Sequence, residues 1–390
     1  MRNWILLALV FWAQLLIGQT KIHIPEPFGD RFIESELISG VSIIPLAIER
    51  YRMITSDMEM KVDGDDYFIL DNKVNQCVYR FNGAGELLNT ICEEKKEAGE
   101  EDLPQLNNPA KFSIDPLRKQ VEIYNFENSI ITQYKYDGTK TGQLNLSVSP
   151  SDFIRDKDGD YWIYTGWNNS ETQYRLLKTD GKGNITDRKM RLISKCTPTE
   201  GFAFYNAGNA ICFWELLGNT AYTIEKNEIT PSYLFNFGNR NLPLNYHIME
   251  GDDSFMMINQ SGYYTVKKYL ENDNFAYFFL NYNSIEQREM FHVIHDKKAG
   301  QIYIYTENSA IGAFDKAQSL TVDDELLFLI TPRKIRQLLG GGTEFVPAPF
   351  VGLEEEVGRM RNPIILKIKL QSVEGYQPVN TSNDSLYFDN

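Results

Sequence analysis

The sequence is poor in the residues that usually announce chemistry. Its 390 residues include four histidines, four cysteines and five tryptophans. Of the histidines (His23, His247, His292 and His295), only the last two lie close together. Residues three apart on a strand point to opposite faces, so His292 and His295 are not expected to share a metal. The cysteines, Cys77, Cys92, Cys196 and Cys212, contain no Cys-x-x-Cys spacing, which removes the common zinc and redox patterns. Gly-x-Ser-x-Gly, Gly-x-x-x-x-Gly-Lys and His-Glu-x-x-His are also missing, and with them the common hydrolase, nucleotide and metalloprotease signatures. No cofactor and no metal is therefore called for. Basic charge is scarce as well. The net charge of −14 argues against a nucleic-acid partner, which needs a dense basic face. Beyond residue 17 no apolar run is long enough to span a membrane.

The one long apolar run opens the chain. Arg2 gives a positive start, Trp4–Ile17 has only Gln14 as a polar residue, and Gly18 offers a small residue for cleavage. We read residues 1–18 as a cleaved signal peptide and expect a periplasmic or secreted protein. The first cysteine is Cys77, too distant for a lipoprotein anchor. An exported chain could pair its cysteines. Cys77 and Cys92 flank an expected turn at Asn82–Gly85, which would make them diagonal neighbours on one sheet face. Such neighbours sit roughly 7–8 Å apart, long for a disulfide, so buried free thiols are expected.

Aromatic residues are plentiful, with 22 Tyr and 23 Phe, and these favour half-buried pleated surfaces. They recur behind a regular punctuation. A short apolar run ends in Asp or Asn, a turn follows, and an aromatic or β-branched run resumes. The marks are Asp63, Asp115, Asp156, Asn206, Asp252 and Asp296, about 47 residues apart on average. Units then continue through a second turn, as at Asn82–Gly85, Asp137-Gly138 and Asp180-Gly181, where Asp-Gly and Asn-Gly chemistry favours hairpins. Four strands per unit and six units are the arithmetic of an all-β, six-bladed β-propeller with four-stranded antiparallel blades. Val41–Leu46 and Pro363–Leu370 are strand-like ends, and the early strand is expected to complete the last blade and close the ring. The resulting plan is a signal peptide (1–18), a lead segment (19–37), a propeller (38–370) and a polar tail (371–390). A short helix near 332–339 and a loop excursion over 340–362 are inserted in the last blade.

Three stretches carry a resemblance: VSIIPL after the leader, DDYFILDNKVNQCVYRFNGAGELL in the first unit, and NPIILKIKL near the end. With these the chain resembles the exported six-bladed β-propellers of Bacteroidetes, which are related in form to NHL-repeat and TolB-type propellers. The resemblance spans roughly residues 38–370 and implies fold and compartment rather than an activity.

Candidate site residues come from the loops. Asp156-Lys157-Asp158-Gly159-Asp160 looks like a calcium loop, but its sixth and twelfth positions are Tyr161 and Trp167, so an ordinary hairpin turn is expected. Trp167 and Asn168 lie between the middle strands of the third unit, where an indole could stack on a sugar and an amide could bind its hydroxyls. Trp214 occupies the matching region of the fourth unit, and Tyr124 with Asn125 that of the second. These five are the expected ligand contacts. The expected role is an exported, non-catalytic binding or scaffold propeller for a glycan, peptide or protein partner. The alternative is a carbohydrate-active hydrolase or lyase, whose carboxylates or histidines would converge at the channel mouth. No catalytic residue can be named from the sequence.

Overall fold

A computed structural model describes residues 20–23, 36–47, 58–71, 76–92, 109–166, 172–192, 203–207, 210–215, 218–243, 253, 256–257, 260–306, 311, 314–331, 333–334, 336–337 and 362–373. It contains 25 strands, β1–β25, in six sheets. Blade 1 is β3 (Glu59–Asp63), β4 (Asp66–Asp71), β5 (Cys77–Phe81) and β6 (Leu87–Ile91). Blade 2 is β7 (Pro109–Asp115), β8 (Gln120–Asn125), β9 (Ile130–Lys135) and β10 (Lys140–Asn145). Blade 3 is β11 (Asp152–Arg155), β12 (Tyr161–Tyr164), β13 (Tyr174–Thr179) and β14 (Ile185–Arg191). Blade 4 is β15 (Phe204–Ala207), β16 (Ala210–Trp214), β17 (Thr220–Glu225) and β18 (Glu228–Asn236). Blade 5 is β19 (Ser261–Glu271), β20 (Phe275–Ser284), β21 (Arg288–Asp296) and β22 (Gln301–Thr306). Blade 6 is β23 (Ser319–Leu320), β24 (Glu325–Ile330) and β25 (Ile364–Leu370), completed by β2 (Ile38–Pro45).

The six-bladed propeller and its closure are as expected. β2 runs antiparallel to β25, pairing Val41 with Ile368 and Pro45 with Ile364. The first strands of the blades, β3, β7, β11, β15, β19 and β23, touch in order around the axis, and β23 returns to β3. The lead segment adds a strand that the sequence did not announce. β1 (Thr20–His23) lies parallel to β18 as a fifth, outermost strand of blade 4.

Burial explains the sequence of each strand. Middle strands are covered on both faces by neighbouring blades and read as continuous apolar runs, such as β12, in which Tyr161, Trp162, Ile163 and Tyr164 are all buried. Outer strands keep one wet face and alternate, as in β14. The buried apolar residues fall into six clusters, one for each seam between blades. The Tyr/Phe excess sits in these seams. Between blades 4 and 5, Tyr269 stacks on Phe278 at 5.0 Å and Tyr233 meets the same ring edge-on at 5.0 Å.

The turn punctuation is chemically real in the first four blades. Asp63, Asp115, Asp156 and Asn206 each stand at the hairpin between a blade's first and second strands. The last two marks need correction. Asp252 lies outside the described residues, and blade 5 begins only at Ser261. Asp296 closes β21 and so stands at the outer hairpin of blade 5, while the first hairpin of blade 6 follows Leu320. Blade 5 has unusually long strands, 11 residues in β19 and 10 in β20, which carries the chain past the expected spacing. Of the expected helix near 332–339, residues 333, 334, 336 and 337 are helical. The leader, the excursion up to residue 361 and the tail beyond residue 373 lie outside the described residues.

The free-thiol expectation is overturned for one pair. Cys77 and Cys92 form a disulfide with Cα atoms 4.9 Å apart. The register between β5 and β6 slips at Arg80/Phe81, so Val78 faces Ile91 and the flanking cysteines stand directly opposite rather than diagonally. Cys212 is a buried free thiol as expected, and Cys196 lies outside the described residues.

Candidate functional site

Each blade's first strand runs from the inter-blade connector toward its first hairpin, so the beginnings of these strands crowd together at one end of the axis. That end is polar. Glu59, Asp152 and Ser319 are the first residues of β3, β11 and β23. Tyr205 is the second residue of β15, and Lys61 and Lys111 are the third residues of β3 and β7. Lys268, the eighth of the eleven residues of β19, and Lys316, just before β23, act electrostatically on the same group. A register slip in β19 between Val266 and Lys268 leaves Lys267 as an extra, bulged residue and turns the local alternation so that Lys268 is buried.

Hydrogen bonds stitch this end across the ring. The Tyr205 hydroxyl of blade 4 donates to the Leu320 carbonyl of blade 6, accepts from the Leu320 amide at 3.2 Å and lies 3.4 Å from Ser319 Oγ. Blades 4 and 6 are not neighbours, so this residue reaches past blade 5. Asp152 Oδ2 accepts the amides of Ala203 and Phe204 at 2.6 and 3.0 Å, which fixes the entry of blade 4. Lys61 Nζ meets Glu59 Oε1 at 2.8 Å.

The titrating groups here act on one another. Burial pushes the Asp152 carboxyl upward, against the pull of Lys61 and Lys111. Burial pulls Lys61 downward, but the carboxylates of Glu59 and Asp152 outweigh it and hold its ammonium above the ordinary value. Lys268 goes the other way. Burial, followed by the like charges of Lys61 and Lys316, lowers it to about 7, with Glu59 and Asp152 opposing the shift. Lys267 is lowered to about 8 by burial and by the charges of Lys316 and Arg288. The hydrolase alternative asks for carboxylates at this mouth. Glu59 and Asp152 are there, but the first is held by an ammonium and the second by three backbone amides, those of Phe153, Ala203 and Phe204.

The residues expected from the sequence fall elsewhere. Tyr124 is fully buried in the seam between blades 2 and 3. Trp214 is 1% exposed in the seam between blades 4 and 5, edge-on to Tyr269 at 6.1 Å. Tyr124 is the last residue but one of β8 and Trp214 the last of β16, both second strands of their blades, which neighbouring blades cover on each side. They are core residues and present no surface to a ligand. Asn125 works in a turn, accepting the amides of Glu127 and Asn128 at 2.9 and 3.4 Å. Trp167 and Asn168 lie outside the described residues.

Two other expectations hold. His292 and His295 face opposite seams. His292 bonds the Tyr277 hydroxyl and the Phe314 carbonyl toward blade 6, whereas His295 meets Tyr233 of blade 4. The calcium look-alike is a turn. Asp156 Oδ1 accepts the amides of Asp158 and Asp160, and Lys178 Nζ sits 3.1 Å from Asp156 and 3.0 Å from Asp160, supplying the positive charge itself.

The axial lysines carried no signal in the sequence, since a lone charge within a short strand reads as a solvated face. The one available clue is that charges recur in the first strand of several units, in EMKVD, PAKFSID and KKYLE.

The fold has close solved counterparts. A protein of Bacteroides fragilis NCTC 9343 described as exported, BF0058, is 18% identical and superposes with a TM-score of 0.70, covering 90% of this chain and 100% of its own. A Bacteroides vulgatus member of the DUF4221 family is 11% identical with a TM-score of 0.51, covering 87% of this chain and 98% of its own. No curated protein matches the sequence. Residues 20–369 match the domain of unknown function DUF4934, and the chain belongs to that family.

Proposed function

We propose that this protein is an exported binding module that recognises a glycan, peptide or protein partner at the connector end of its axis. The observation that carries this reading is the convergence of charged and hydroxyl side chains from all six blades on that end: Glu59 and Lys61, Lys111, Asp152, Tyr205, Lys268, and Ser319 with Lys316. A ring of blades is rigid, so it presents such groups with little ordering cost on binding. Export is supported by the leader-like residues 1–18 and by the description of the Bacteroides fragilis relative. Trp167 and Asn168 follow β12, which ends at the same face, and are carried as rim contacts.

The test is a glycan and peptide array screened with the chain lacking residues 1–18, followed by thermal-shift titration of each hit. A ligand at about 100 times its dissociation constant stabilises by roughly 2.7 kcal/mol. Hits are expected to weaken at least tenfold in Trp167→Ala or Lys316→Ala. A hit indifferent to both would move the site off the axis. N-terminal sequencing of the protein from the native cell envelope is expected to begin just after Gly18.

A further inference from the structure

We propose that the outer edge of blade 4 is a strand-accepting site for another polypeptide. An extended segment of up to nine residues adds parallel to β18 and places a branched apolar side chain where Ile22 sits. This site is separate from the axial one proposed above. It takes from that reading only the removal of residues 1–18 as a leader.

The first argument is that the edge already holds a strand from outside the blade. β1 pairs with β18 in parallel, from Thr20 opposite Tyr233 to His23 opposite Asn236, whereas the strands within blade 4 are antiparallel. A hairpin neighbour arrives antiparallel, and a parallel partner has to come from elsewhere in the chain. The outermost strands of the other blades, β6, β10, β14, β22 and β2, carry no added strand among the described residues.

The second argument is how the strand is held. Ile22 is fully buried between blades 4 and 5, in the cluster that includes Tyr233 and Phe235 of β18 and Phe278 of β20. Ile302 and Ile304 of β22 pack against the same cluster. Lys21 is exposed and Thr20 half-buried. Recognition therefore rests on one apolar side chain and on the backbone. That is how strand addition works: main-chain hydrogen bonds give affinity, and a side-chain pocket gives specificity.

The third argument is length. β18 has nine residues, more than the outermost strand of any other blade, and β1 covers only Tyr233–Asn236. Before that stretch Glu228, Thr230 and Pro231 are exposed, and no strand lies beyond them among the described residues. In parallel addition, residues that precede Thr20 would run along Ser232 and back toward Glu228. A chain cut after Gly18 has only Gln19 left to do so. The protein's own strand cannot cover this half of the edge. Nor can that of a second copy, which starts at the same residue. A different polypeptide repeats the Ile22 contact and adds up to five residues of pairing. Pro231 has no amide to give, so pairing there rests on its neighbours. The added pairs compete with the tether of β1, which gives it an effective concentration on the order of millimolar.

The experiment is fluorescence anisotropy with a labelled nine-residue peptide, five alternating threonines and valines followed by Thr-Lys-Ile-His. It is added to the folded chain lacking residues 1–18, and a photo-reactive group in the peptide maps where it lies. The peptide is expected to bind wild type and to cross-link to β18. Ile22→Ser loosens the protein's own strand and should bind the peptide at least tenfold more tightly. Replacing the peptide's isoleucine by aspartate, or cutting it to its last four residues, should each weaken binding at least tenfold. Thermal melts check folding, and Ile22→Ala carries the same test if Ile22→Ser does not fold. No binding to any of these proteins, or equal binding of the aspartate peptide, overturns the proposal. So does self-association of wild type in which β1 cross-links to β18 of another copy, which would give the edge to that copy. Lys316→Ala, aimed at the axial site, should leave peptide binding unchanged; a matching loss would place the peptide at the axis instead.

Discussion

The seams between blades and the axis of the ring use the same charged residues to opposite effect. In the seams charges are matched. Arg155 of blade 3 lies 3.1 Å from Glu122 of blade 2, and the Tyr161 hydroxyl donates to the same carboxylate at 2.6 Å. Arg175 of blade 3 grips both oxygens of Glu215 from blade 4. Lys119 of blade 2 reaches Asp63 of blade 1 at 2.6 Å. Each pair straddles a seam; those of Glu122 and Glu215 are buried, whereas Lys119 reaches Asp63 from the surface. At the axis, by contrast, Glu59, Asp152, Lys61, Lys111, Lys268 and Lys316 form a mixed, electrostatically coupled cluster drawn from several blades. Paired charge in a seam ties two neighbouring blades together, whereas the axial cluster gathers charged groups from several blades at one place. The aromatic residue Trp214, expected at a ligand surface, belongs to a seam instead.

The largest blow to the seams should come from Trp214→Ala. It opens a cavity between blades 4 and 5 and should cost about 3–5 kcal/mol in chemical denaturation, with no effect on ligand affinity beyond that of unfolding. A specific loss of affinity would return Trp214 to the site. Next comes Arg155→Met, which strands the fully buried Glu122 and should cost about 3 kcal/mol. Adding Glu122→Met should recover much of that loss, as replacing a buried pair by apolar groups often does. If the double variant is no better than the single, the pair is not the unit that holds this seam.

Smaller effects should appear as pH dependence, with different windows in the two regions. Lys268 has a folded pKa of about 7 against an ordinary 10.5. The unfolded chain therefore binds its proton more readily, so stability is lost as pH falls from about 10.5 to about 7. Lys268→Met should flatten denaturation midpoints across that window. His292, buried in the seam between blades 5 and 6, is lowered from 6.5 to about 3 by burial, against the bond to the Phe314 carbonyl. Its stability contribution should be lost as pH falls through that range, and His292→Gln should reduce the acid slope. Equal slopes in wild type and variants would remove the distinction between the two regions.

Much of the fold was legible because turn chemistry is local. The Asn82 side chain accepts the amides of Ala84 and Glu86, and Asp180 those of Lys182 and Asn184, so Asp/Asn followed by Gly marks real hairpins. Gly85, at φ +80°, lies where an added Cβ would strike the Pro45 carbonyl oxygen at 2.0 Å, so the first blade's turn can rest against β2. What was missed depends on slips in register. One residue of slip at Arg80/Phe81 joins Cys77 to Cys92, and another in β19 buries Lys268. Period-two reasoning does not see an inserted residue. The axial cluster was hidden for a different reason. Glu59, Lys111 and Asp152 are each unremarkable alone, and only closure of a ring brings first strands from distant parts of the chain together.

That closure has a price in time. β2 is made early, yet its partner β25 is among the last strands to leave the ribosome, and Gln371 bonds the carbonyl of Glu36 across 335 residues. β2 must therefore wait unpaired, edge exposed, until β25 has been made. Contacts this distant in sequence slow folding and lengthen the exposure of sticky strands. The same arrangement pairs Ile38 with Leu370, so the last blade is complete only when strands from both ends of the ring have met.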